Sequence, residues 1–275
     1  MSPLRHLTLA LALLSPFASS ALLPAAPPAS CGAPPIPSNG PLPPRSSLRA
    51  ASAMSGIWVH VHVITTAAKA NRYTQSQIDA QISVLNARYA PSDISFRHMS
   101  TTFHNNDLWA TTNETQSDMA RVLRKGDYRT LNLYFQSDLP VVVGYAYYPI
   151  PNPSRPTDIS FDGAYIHADA LPGGAWAGYE QGIAAVHEVG HWLGLMHTFE
   201  GQSCDGAGDE VDDTPQQSAV TWYCPERGSQ DSCPGMDGTD LVENYMDYTY
   251  DYCKTGFTRG QGDRMFLAWN LWRTY

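Results

Sequence analysis

Eleven consecutive residues, His187-Glu188-Val189-Gly190-His191-Trp192-Leu193-Gly194-Leu195-Met196-His197, fit the pattern H-E-x-x-H-x-x-G-x-x-H in full. On a helix, positions four apart lie nearly above one another, so the His187 and His191 imidazoles can share one metal ion. Glu188 sits one step round that helix and can take a proton from a water that zinc activates, without competing as a ligand. A third ligand six residues on would point away if the helix continued. Gly194 can adopt the left-handed backbone that ends it, and the chain then turns His197 back to the metal. Three neutral imidazoles leave zinc its 2+ charge and an open position, which hydrolysis needs. Core and capping histidines would explain a bare H-E-x-x-H. With five positions fixed, a chance match is expected in about one chain in ten thousand at average residue usage.

These residues need a scaffold. Ile57, Val59, Val61 and Val63 alternate with Trp58, His60 and His62, the period of a half-buried strand. His60 and His62 are read as polar partners on that strand, with no metal role. Thr74 and Gln77 form a capping-box pattern, and Ile78, Ile82, Leu85 and Tyr89 follow at helical spacing until Pro91. Ile94 to Met99 and Leu131 to Phe135 read as strands, with Gly144 to Tyr148 and Gly163 to His167 as weaker candidates. The fold class is α+β or α/β, a sheet backed by helices. After about Gly201 the periodicity gives way to Gly, Asp, Cys and Pro, until Gln261 to Trp272 offers a last apolar helix.

The chain opens with Arg5 and His6, an apolar run from Leu7 to Leu14, then small residues. Residues 1–20 therefore read as a secretory signal peptide rather than a membrane anchor, which would need about 20 apolar residues in a row. Residues 21–53 are Pro-rich and carry neither Asp nor Glu, the mark of a propeptide or linker. Residues 54–275 are long enough for one domain with a sizeable core, which two lobes around a cleft would also satisfy. A net charge of -9 and no Lys/Arg cluster argue against nucleic acid as a partner, and no later segment suits a membrane. Protein or peptide substrates and a monomeric, extracellular protein are the expectation. Cys204, Cys224, Cys233 and Cys253 suit an oxidising compartment and allow three pairings, with Cys31 left over. Asn113-Glu114-Thr115 matches a glycosylation acceptor. Asp205, Asp209, Glu210, Asp212, Asp213 and Thr214 crowd oxygen donors that either hold calcium or form a solvated acidic loop.

The zinc motif, with Asn244-Tyr245-Met246-Asp247-Tyr248 and the later Cys253 and Phe257-Thr258-Arg259-Gly260-Gln261, resembles the metzincin metallopeptidases, in particular the small secreted members of the pappalysin branch. The resemblance implies a two-lobed catalytic domain: an upper twisted mixed sheet with helices and a lower, irregular, disulfide-linked lobe. It places Met246 in the turn beneath the three histidines and Tyr248 beside the metal as the oxyanion donor. It favours pairing Cys204 with Cys233 and Cys224 with Cys253, and tilts the acidic loop toward calcium, with Asp205, Asp209, Asp212 and Thr214 as candidate ligands. Substrate is expected to pair with an upper-lobe edge strand, for which Gly163 to His167 is the candidate. Cys31 becomes a candidate latency ligand at the open metal position, removable by cleavage at Arg45 or Arg49. An incidental free thiol and an intermolecular cross-link are the plainer readings. The expected activity is zinc-dependent endopeptidase. A zinc-stabilised binding module and a zinc aminopeptidase or amidase are the alternatives.

Overall fold

A computed structural model describes residues 31–32, 42, 54–111, 116–140, 142–153 and 159–273. The expected signal peptide (1–20), most of the Pro-rich segment with Arg45 and Arg49, and Asn113 lie outside the described residues. Strand β1 (Ile57–Thr65) opens the domain, followed by α1 (Gln75–Tyr89), β2 (Phe96–Asn105), α2 (Asp107–Thr111), α3 (Gln116–Leu123), β3 (Leu131–Gln136), β4 (Gly144–Ala146), β5 (Ala164–His167), α4 (Ile183–Trp192) and α5 (Arg259–Trp272). The strands form one sheet in the order β2-β1-β3-β5-β4. All neighbours are parallel except β4, which runs antiparallel to β5.

Alternation along β1 builds two cores. Val59, Val61 and Val63 face α1 and α4, together with Ile78, Leu85 and Val186. Ile64 joins Tyr134, Tyr145, Tyr165, Met119 and Leu123 on the face covered by α2 and α3. Helices on both faces are what a mostly parallel sheet requires. Helix α1 starts where the pattern places it: Gln77 N–H donates to Thr74 Oγ1 at 3.3 Å and Thr74 N–H to Gln77 Oε1 at 3.1 Å. The same device caps α5 at Thr258, so that helix begins at Arg259, two residues before the expected Gln261.

The sheet differs from the expectation in two places. Strand β2 runs later and longer than Ile94 to Met99, because its outer half is an edge whose polar residues carry no alternation. There Ser100 pairs with His60 Nδ1 at 2.7 Å and Thr102 with His62 Nδ1 at 2.9 Å, so both histidines are polar partners of the sheet. The segment around Gly163 to His167 is not an edge: β5 lies between β3 and β4, and β4 takes the edge position. Lateral order is fixed by side chains that meet only in the folded sheet. Tyr134, Tyr165 and Tyr145 stand opposite one another on β3, β5 and β4, with ring centroids 4.6 and 4.7 Å apart and nearly parallel planes.

Below α4 the chain is irregular, as its composition suggests. Disulfides join Cys204 to Cys233 and Cys224 to Cys253, the pairing that the resemblance implied. Each closes a loop with a sequence separation of 29, and together they tie the region after His197 to the one that follows Met246. The last turn returns to the upper lobe through Arg273, which is fully buried, donates to Asp162 Oδ1 at 2.9 Å and to the Trp192 carbonyl at 2.8 Å, and lies over the Trp192 ring. This contact fixes the C-terminal end of α4, one residue past His191.

Candidate active site

Every residue of α4 is buried, so the helix is held on all sides. Its N-terminus is capped from the lower lobe, where Asp251 Oδ2 accepts from Gln181 N at 2.9 Å and Ile183 N at 3.3 Å. Its C-terminus breaks at Gly194, whose φ of +96° places it in the left-handed region. Leu195 N–H then donates back to the Gly190 carbonyl at 2.9 Å, which turns the chain under the helix. A Cβ at Gly194 would also come within 2.7 Å of the Ala268 Cβ on α5, so packing and backbone both demand glycine here.

That turn brings three imidazole nitrogens together. His191 Nε2 is 3.1 Å from His187 Nε2 and 3.1 Å from His197 Nε2. Two metal–nitrogen bonds of about 2.0–2.1 Å at a tetrahedral angle would place their nitrogens about 3.3 Å apart, so the spacing fits zinc. The opposite ring nitrogens are directed elsewhere. His187 Nδ1 donates to the Tyr245 carbonyl at 2.7 Å and His191 Nδ1 to the Leu195 carbonyl at 2.8 Å, while His197 Nδ1 lies 3.6 Å from Glu200 Oε2. Protons held at Nδ1 leave the Nε2 lone pairs facing one another, the arrangement that ligation requires. Burial holds His187 and His191 well below the usual imidazole pKa, which keeps them neutral. Among the described residues these three and Cys31 make the one group of His, Cys, Asp or Glu donors close enough to share an ion, with all ligand atoms within 4.8 Å of one another.

Glu188 is buried beside this group, and burial pushes its carboxyl up to about 8, opposed by the Cys31 thiol and by Lys254. A 2+ ion next to it would pull the value back down. The Tyr248 hydroxyl stands 3.1 Å from His197 Nε2 and 3.5 Å from the Cys31 carbonyl. Met246 is fully buried under the helix. The Cys31 thiol donates to Glu188 Oε2 at 3.4 Å, and Gly32 N–H donates to the Gly144 carbonyl on β4 at 3.2 Å. The cleft wall includes Val143, Tyr179, Ala184 and Trp222, with Asp251 and Lys254 at its end.

Two glycines matter here that the motif alone does not explain. A Cβ at Gly144 would sit 2.8 Å from the Glu188 carboxyl, so the edge strand must be bare at that point. A Cβ at Gly190 would sit 2.6 Å from Met246 Sδ. We predict that Gly190→Ala overpacks this contact and costs about 1–3 kcal/mol. A urea-denaturation midpoint at the wild-type value would refute that.

The acidic stretch behaves differently from the histidines. Asp209 turns inward and accepts from Thr214 Oγ1 at 2.5 Å and from Val211 N at 3.1 Å, with burial raising its carboxyl to about 7. Asp205 and Asp212 remain exposed. Glu210 pairs with Arg264 at 3.0 Å, and Asp213 accepts from Thr258 Oγ1 and Gly260 N at the start of α5. The structure does not draw Asp205, Asp209, Asp212 and Thr214 into one cluster. A calcium site of those four would need the loop to rearrange around Asp209.

Comparison with known proteins places this site in a family. The extracellular metalloprotease of Neurospora crassa is 42% identical over 217 residues, covering 79% of this chain and 75% of that protein. An extracellular metalloprotease of Arthroderma otae is 44% identical over 216 residues, covering 78% and 77%. Among solved structures, Tannerella forsythia mature mirolysin in complex with a cleaved peptide superposes with a TM-score of 0.66 at 26% identity, covering 79% of this chain and 96% of that one. Residues 113–269 match the profile of Peptidase_M43, Pregnancy-associated plasma protein-A. The sheet, the α4 turn and the lower lobe thus have the mirolysin-like metzincin architecture, and the chain belongs to the Peptidase_M43 family of metallopeptidases.

Proposed function

We propose that the chain is an exported zinc endopeptidase that hydrolyses peptide bonds in proteins, with His187, His191 and His197 as ligands, Glu188 as general base and Tyr248 as oxyanion donor. The observation that carries this reading is the convergence of three Nε2 lone pairs, with their Nδ1 protons directed away, beside a buried carboxylate. The homologues' names, which place them outside the cell, support export. Among the described residues no helix is long and apolar enough to cross a membrane. Residues 1–20 serve as the signal peptide, 21–53 as a removable segment and 54–275 as the catalytic domain.

Zinc at this position supplies a Lewis acid for the scissile carbonyl and lowers the pKa of water toward neutrality. The protein supplies the rest. An extended substrate pairs with the β4 edge, whose Gly144 carbonyl already accepts a backbone N–H from Gly32. Glu188 takes the proton of the attacking water and delivers it to the leaving amine. The Tyr248 hydroxyl donates to the oxyanion that develops on the carbonyl. Met246 supports the helix from below and takes no part in bond making.

A zinc-stabilised binding module is the reading to set against this, because structural zinc sites have four protein ligands and Cys31 offers a fourth. The two separate on peptides blocked at both ends. The endopeptidase cuts them internally once residues 21–53 are removed, loses that activity to a zinc chelator and regains it on zinc addition. Zinc-loaded, processed protein that cuts nothing would favour the binding module. Cutting confined to free N-termini would favour an aminopeptidase.

A further inference from the structure

Outside the cleft, a groove of about 1020 Å³ lies between the 207–216 loop, Met236–Asp237 and the first turns of α5. Its apolar lining includes Val211, Pro215, Leu267 and Met236, and Met236 is 48% exposed. Its rim is acidic. Glu210 pairs with Arg264 at 3.0 Å and Asp213 is engaged at the α5 N-terminus, and the lining also carries Asp212, Asp237, Asp263 and Arg259. One residue from outside the catalytic domain also lines it: Leu42, which is half-buried.

We propose that this groove is a second anchor for the N-terminal segment, and that Pro41-Leu42-Pro43-Pro44-Arg45 is its occupant. The chemistry of the two sides matches. Leu42 supplies an apolar side chain, and the only charged residues between 21 and 53 are Arg45 and Arg49, opposite in sign to the rim. Three of these five residues are prolines, a composition with little backbone freedom to lose on binding. The path also fits. Ten residues separate Gly32 at the cleft from Leu42 and can span at most about 33–36 Å. A 220-residue domain has a radius of gyration of about 17 Å and so a diameter of about 44 Å, and a segment of this length reaches much of the way across its surface. Beyond Leu42 the chain must reach Met54, whose carbonyl accepts from Ser95 N at 3.0 Å. Ser92, three residues before that point, packs against Gly262 on α5.

This deepens the reading of residues 21–53 as a removable inhibitory segment. A second hold keeps Cys31 at high effective concentration over the site and shields the nearby candidate cleavage points. Dilute trypsin acting on the full chain bearing Glu188→Gln, which prevents self-cleavage, reads the anchor through the cutting rate after Arg45. Leu42→Asp and Met236→Asp should each raise that rate about tenfold or more, because cutting follows the undocked fraction. The double variant should cut no faster than the faster single one, since both break one contact. Leu42 precedes the domain and Met236 is exposed, so neither change threatens folding. Unchanged rates in the single variants, or additive effects in the double, overturn the anchor. Activity of a Cys31→Ala chain tests the latency reading separately, so either idea can fail while the other stands.

Discussion

Glu188→Gln in the processed protein is expected to retain zinc at the wild-type stoichiometry while kcat/KM for a blocked peptide falls by about 10²–10⁴. The substitution keeps volume and shape, so the 2.8 Å margin against a Cβ at Gly144 and the packing of α4 are undisturbed. It removes only the ability to accept a proton. Stability should hold or rise, because the carboxyl is buried and its charge is costly enough to push its pKa up to about 8. The metal should stay, because Glu188 is not in the donor group formed by Cys31 and the three histidines. Zinc content by mass spectrometry, a melting curve and steady-state kinetics on the same preparation decide the matter. Activity within tenfold of wild type, with zinc bound, would remove Glu188 from its role. Loss of zinc together with activity would make it a structural residue.

How legible the site was depends on whether its contacts are local in sequence. The spacing of His187, Glu188 and His191 follows from helix geometry, and the turn to His197 from the backbone freedom of Gly194, so a string of eleven residues contains both. The capping boxes at Thr74 and Thr258 are equally local. What pairs with what across the sheet is not local. Strands β4 and β5 are short, and the sequence order gives no sign that the earlier one takes the edge; that order comes from the stacked tyrosines 145, 165 and 134. The same holds for Gly144 and Gly190. Each looks like an unremarkable glycine until its neighbour, Glu188 or Met246, arrives from elsewhere in the chain. A glycine inside a strand candidate was the available signal for the first, and the x-x of H-E-x-x-H hid the second. Helices α2 and α3 escaped notice because they are short, at 5 and 8 residues, and owe their stability to packing on Ile64 and the tyrosine face. The acidic stretch is a different case. Composition gathered its carboxylates on paper, and the fold spends them separately on a cap, an ion pair and an inward turn.

Cys31→Ala in the uncut chain is expected to raise kcat from the latent level to near that of the processed enzyme, with no cleavage at Arg45 or Arg49. The thiol sulfur is within 4.8 Å of the ligand nitrogens of all three histidines and donates to Glu188 Oε2 at 3.4 Å, so under the proposed mechanism one side chain would take the position that the attacking water needs. Thiolate is a strong zinc ligand, and lost as Ala it has no replacement in Gly32. The neighbouring backbone adds two weaker holds, Gly32 N–H on the Gly144 carbonyl at 3.2 Å and the Tyr248 hydroxyl on the Cys31 carbonyl at 3.5 Å. These engage the proposed substrate edge and the proposed oxyanion donor, and they persist in the variant. The released enzyme should therefore show a raised KM and a nearly normal kcat until the segment is cut away, whereas a merely loosened fold would depress kcat and lower the melting temperature. The measurement compares uncut and processed Cys31→Ala on one substrate, with intact mass confirming the uncut state. An uncut variant that stays inactive while its processed form is active would show that something other than the thiol enforces latency.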